Sequence, residues 1–151
     1  MENAIHHFQK AIDLNPKFGY PLNNMGFLYL SIKEIKRALS YFNKVTEIED
    51  SNPLLLSKTY AGLAICMFIE NKKEPAIEFK TKSLILNDNL SNTNYLRPNL
   101  NWNNEMIKIY SAIWIILVFR TYPRLLLKKT LFASRFSQVI VNLGFTNTGF
   151  L

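Results

Sequence analysis

The chain repeats itself. Ala4, Phe8 and Ala11 return 34 residues later as Ala38, Phe42 and Val45, within the strings AIHHFQKAIDLNP and ALSYFNKVTEIED. Both strings place apolar residues at helical spacing: Ile5, Phe8, Ala11 and Ile12, then Leu39, Phe42, Val45 and Ile48. A third copy follows at a shift of 38, where Leu22, Gly26, Ala38 and Tyr41 are matched by Tyr60, Ala64, Ala76 and Phe79. The extra residues fall in 49–56, between units. Four residues is close to one helical turn of about 3.6, so the insertion can lengthen a helix and nearly keep its buried face. Self-similarity at this period demands a stack of like units, each hiding its apolar face on the next.

The spacing predicts helices over 2–14, 19–31, 34–48, 53–69 and 73–86, then a sixth over 101–119 and a seventh over 124–141. Glycine and proline number only 5 and 6, and 48% of the residues are hydrophobic, which suits packed helices. Ser51 or Asn52 can cap the fourth helix, and Pro53 suits its first turn. Gly26 and Ala64, with Ala4, Ala38 and Ala76, are small where paired helices approach; Phe8, Phe42 and Phe79 are plugs between layers. Lys80 and Ser83 stand where apolar packing is expected, which predicts fraying of the last unit. The polar stretch NDNLSNTNYLRPN, 87–99, reads as a boundary.

A unit of this length, with a large residue, a small one four later and an alanine twelve further on, resembles the tetratricopeptide repeat. Residues 19–50 carry it as Leu22, Met25, Gly26, Tyr29, Ala38, Phe42 and Val45. Residues 57–88 carry it as Tyr60, Leu63, Ala64, Met67, Ala76 and Ser83, and the first unit supplies only Ala4 to Pro16. The resemblance implies an all-α fold: antiparallel helix-pair repeats in a short right-handed solenoid with a C-terminal capping helix. The expected organisation is an array over 1–89 (half repeat 1–18, repeats 19–52 and 53–89), a linker and capping helix over 90–119, and a basic aromatic tail over 120–151, partly helical. Tyr95, Leu96, Leu100, Trp102, Met106 and Ile109 would cover the last repeat, as in the closing helix of cyanobacterial-type members. The chain starts in a second helix, so the resemblance also predicts a fragment truncated at its N-terminus. The tail or another subunit filling the gap is the alternative.

The family's first helices line a groove that holds a peptide or helix. Carried over, that groove would be Tyr20, Asn23, Asn24, Phe27 and Leu30 with Lys58, Ala61, Ile65 and Phe68. Asn24 and Lys58 match two polar positions of the family's carboxylate clamp, but Gly62 stands where an arginine is expected. An apolar groove with an asparagine rim remains, walled by Tyr20, Phe27, Ile65 and Phe68, and suited to an amphipathic helix. Packing of Phe27 and Phe68 on neighbouring helices is the competing reading.

Charge is uneven. All 11 acidic residues lie at or before Glu105, and six of the 18 basic ones follow it. The run IYSAIWIILVF, 109–119, is too short for a bilayer span, which takes about 20 residues. The segment 106–136 instead has the composition for lying on an anionic membrane surface; packing against the end of the array is the plainer alternative. Nucleic acid is not an expected partner, for no RNA-binding or zinc-finger motif accompanies the charge.

One cysteine, Cys66, excludes an internal disulfide and reads as a buried structural thiol. MENAIHHFQK holds no apolar signal core. A cytoplasmic setting is expected, with a peripheral-membrane one as the alternative. His6 and His7 are adjacent and point about 100° apart on a helix, so no metal site is expected. No cofactor site and no catalytic residue is nominated, since phosphate loop, nucleophile elbow and zinc-protease motifs are all missing. The expected role is a protein–protein interaction scaffold. A membrane-associated assembly or adaptor factor, as in photosystem assembly, and a piece of a larger repeat-containing enzyme or regulator are the alternatives.

Overall fold

In the computed structural model the described residues are 2–49, 51–100 and 102–121. They form seven α-helices and one 3₁₀ turn. The helices are α1 (Glu2–Leu14), α2 (Gly19–Ser31), α3 (Ile35–Thr46), α4 (Pro53–Ile69), α5 (Lys73–Leu86), α6 (Thr93–Leu100) and α7 (Asn104–Thr121), with the 3₁₀ turn at Asp88–Ser91. The chain divides into two compact units, Met1–Ile113 and Trp114–Leu151. The first takes in the array together with 90–113. Of the second, the stretch 114–121 is described and is helical. The expected helix over 124–141 and most of the basic tail lie outside the described residues.

Helix pairing follows the repeat: α2 packs on α3, α4 on α5, and α3 and α2 both meet α4. The centre of this packing is Phe42, fully buried on α3. A Cβ at Gly26 of α2 or at Gly62 of α4 would overlap its ring. The ring therefore plugs between layers only because both faces meet a glycine. Gly62, absent from any clamp, is present for this reason. The paired helices are further sewn by stacked rings, Tyr29 on Tyr41 at 5.5 Å and Tyr60 on Phe79 at 6.0 Å.

The two turns inside the hairpins are built alike. Lys33 and Asn71 sit in left-handed backbone conformation, with φ of 64° and 59°. At the first, Glu34 N–H donates to Tyr29 C=O (2.9 Å) and Lys33 N–H to Leu30 C=O (3.1 Å). At the second, Lys72 N–H donates to Met67 C=O (2.9 Å) and Asn71 N–H to Phe68 C=O (3.0 Å). This double closure is the Schellman motif, whose left-handed position favours glycine and tolerates asparagine better than lysine. Lys33→Gly should therefore stabilise the chain by about 1 kcal/mol and Asn71→Gly by less, read from urea midpoints at constant slope. A loss for Lys33→Gly would mean the turn is not set by backbone strain.

Between repeats the caps are local as well. Asn52 Oδ1 accepts from Leu54 N–H at 2.8 Å and Pro53 opens α4, so Asn52 is the cap and Ser51 instead donates to Val45 C=O at 3.2 Å. The expected boundary 87–99 differs. Its asparagines are caps: Asn87 Oδ1 accepts from Asn89 N–H (3.2 Å) and Asn92 Oδ1 from Asn94 N–H (3.0 Å). They start the 3₁₀ turn and α6, which bury Leu90 and Leu96. The last repeat is not frayed. α5 is continuous, and Lys80 and Ser83 are buried on it beneath Tyr110 of α7.

Candidate partner-binding face

The nine residues carried over as a groove do not form an open one. Leu30 of α2 and Ala61 and Ile65 of α4 are buried, the last two completely. They share one buried cluster with Trp102, Met106, Tyr110 and Ile113. Asn23 is buried too. Its Oδ1 lies 3.0 Å from the Thr59 hydroxyl, which also sits 2.9 Å from Leu55 C=O, so Asn23 joins α2 to α4 and offers nothing to a partner. Phe27 and Phe68 are half-buried against that cluster. Lys58 is half-buried, and Tyr20 and Asn24 are exposed, Tyr20 edge-on to Phe18 at 6.4 Å. The expected two-walled groove is corrected accordingly: its floor is present, but the chain's own segment 102–113 fills it.

That segment is held at both ends. Asn103 caps α7, its Oδ1 accepting from Met106 N–H at 2.8 Å, and Arg97 donates to Asn104 Oδ1. Trp102 lies against Phe27 of α2 at 5.6 Å, and Phe27 lies edge-on to Phe42 at 5.0 Å. Glu105 pairs with Lys33 at 3.0 Å, though both side chains are largely exposed and the pair contributes little. Further along, the Tyr110 hydroxyl and Ser83 Oγ share a hydrogen bond at 2.6 Å, and Lys80 Nζ donates to Tyr110 C=O and stands 4.1 Å from its ring centre. Burial pulls the Lys80 ammonium down to about 7 and pushes the Tyr110 phenol up to about 12, the Ser83 bond opposing the latter. Sequence reasoning assigned Trp102 and Met106 to a cover but missed Tyr110 and Ile113, choosing Ile109. The spacing 102, 106, 110, 113 was the available signal.

What stays open is a cleft of about 330 Å³ beside this filling. Phe8, Phe27 and Leu28 line it from the array, Leu100, Trp102 and Met106 from the covering segment, and Asn24, Ser31 and Asn103 give it polar groups. Nothing here resembles a reaction centre. Burial drives the Cys66 thiol up to about 12, which keeps it protonated and unreactive. Among the described residues no group of three His, Cys, Asp or Glu is placed to hold a metal ion. Among them, too, no helix is long and apolar enough to cross a membrane.

Stacked helix hairpins with a helix laid on the face of their first helices define a helical-repeat binding module. A family model of the tetratricopeptide repeat matches residues 21–52, which span α2 and α3, and the chain is a tetratricopeptide-repeat protein. Neither a curated protein nor a solved structure matches it. Repeats of this family generally bind other proteins and are typically scaffolds rather than catalysts.

Proposed function

We propose that the chain is a protein-binding module that receives an apolar side chain or two of a partner peptide or helix in the cleft between α2 and the segment 100–106. The observation that carries this reading is the cleft itself: about 330 Å³, with apolar walls and Asn24, Ser31 and Asn103 at hand to orient a peptide backbone. A free C-terminal carboxylate is not the favoured ligand, since the clamp's arginine position is Gly62, filled over by Phe42.

A displayed peptide library panned against the whole chain tests the reading. Selected peptides should carry a large apolar anchor and should lose roughly tenfold or more in affinity for Asn24→Arg with Ser31→Arg, two exposed positions whose charge closes the cleft without touching the core. Selected peptides that ignore both substitutions, in protein with unchanged thermal unfolding, would discard the cleft. The reading carries a cytoplasmic setting with it. Attachment to a membrane surface through 106–136 is the rival setting, and flotation of the chain with anionic liposomes separates the two.

A further inference from the structure

Segment 102–113 occupies the face where a repeat array of this kind holds its ligand, and the occupant is the chain itself. Trp102, Met106, Tyr110 and Ile113 stand at i, i+4, i+8 and i+11, one face of a helix, and all four are buried. They meet the array at Phe27 of α2 and at Lys80 and Ser83 of α5, in one cluster with Ala61 and Ile65 of α4. This is the contact pattern of an amphipathic helix laid in a groove.

The occupant is an imperfect one. The Trp102 indole Nε1 is buried with no hydrogen-bond partner among the described residues, so docking strips it of water and returns nothing. Docking also keeps the Lys80 ammonium out of water against the Tyr110 ring. At the segment's start the ion pair Lys33–Glu105 is exposed and weak. What favours the docked state is its tether, which presents the segment at an effective concentration of about millimolar.

We infer that the face beneath segment 102–113 is a helix-receiving site whose external occupant is an amphipathic partner helix. That helix carries large apolar side chains at i, i+4 and i+11 and a tyrosine at i+8 to meet Ser83, and it binds by displacing the chain's own segment. This inference rests on the protein-binding reading and adds a second, normally covered surface to it.

A labelled synthetic peptide of residues 100–116 is the probe. The whole chain should bind it weakly, because the tethered copy competes. The whole chain carrying Trp102→Ser and Met106→Ser, which loosens the tethered copy and leaves α2, α4 and α5 intact, should bind it roughly tenfold more tightly or better. The peptide with its own Tyr110→Ala should lose that gain. Equal affinity of the chain and its double variant, or no binding to a folded double variant, overturns the inference. Should the double variant fail to fold, hydrogen exchange on the unaltered chain decides. Amides of 104–113 should exchange faster than those of α4, and faster still with excess peptide, while α2 to α5 stay protected. Exchange of 104–113 only in step with α4, unmoved by peptide, overturns it equally. Library peptides still sensitive to Asn24→Arg in either case would leave the cleft reading standing and sink this one alone.

Discussion

Gly62→Ala should destabilise the chain by about 1–3 kcal/mol, and the same change at Gly26 by a similar amount, although alanine is the better helix former at both. Propensity alone favours the alanine by nearly 1 kcal/mol at each site, so the sign of the result decides which effect wins. The Phe42 ring is fully buried and lies against the backbone of both glycines, with no space for a Cβ. Its neighbours in the packed interior cannot yield cheaply. Phe42→Ala should cost more, about 3–5 kcal/mol, for it leaves a cavity where α2, α3 and α4 converge. The decisive measurement is the cycle. Phe42→Leu should absorb most of the penalty of Gly62→Ala, because the smaller side chain vacates the overlap. Additive losses in urea unfolding would mean that the ring and the glycine do not contact each other as described. Gly62→Arg, which restores the clamp residue of related repeats, should unfold the chain rather than confer carboxylate binding.

The first five helices were legible because their signals are local. Helical spacing of Phe8, Phe42 and their neighbours, Asn52 before Pro53, and Pro16 after Asn15 each act within a few residues, and the expected bounds fall within two residues of those observed. The site was legible only as a face. Asn23 and Ile65 do lie on the first helices of their repeats, but whether such a residue is offered or covered depends on what lands there. Asn23 is claimed by Thr59, 36 residues on, and Tyr110 bonds Ser83 across 27 residues. Lys80 and Ser83 looked like defects in an apolar pattern. A polar residue at such a position signals either fraying or a partner, and no spacing rule separates the two before the partner is placed. Gly62 looked like a missing arginine and proved to be one half of the slot for Phe42.

The stability of the chain should rise with pH just above neutrality, and Lys80 should be the cause. Burial beneath Tyr110 brings its ammonium down to about 7 from an ordinary 10.5. Above pH 7 the folded lysine sheds its proton and the unfolded one keeps it, so the unfolded state binds more protons and loses ground as pH rises. Below about pH 7 both forms are protonated and the penalty is at its full, constant value. The gain between about pH 7 and about pH 8.5 should be on the order of 1–2 kcal/mol. The window closes there, because Cys66 and Tyr110 are pushed the other way, from 9.0 and 10.0 to about 12 each. Their ionisation in the unfolded chain lowers stability once pH passes those ordinary values. Lys80→Met should flatten the rise and increase stability at pH 7, since it keeps the apolar stem and removes the charge that burial penalises. Tyr110→Ala should flatten it too, but at a net loss, by opening Lys80 to water. Urea unfolding of the three chains across this interval is the test, and a slope that persists in Lys80→Met would assign the dependence to another group. Because the ring that buries Lys80 belongs to α7, the same slope measures how firmly that helix is held: raising pH should tighten the chain's own segment on the array and weaken any partner that must displace it.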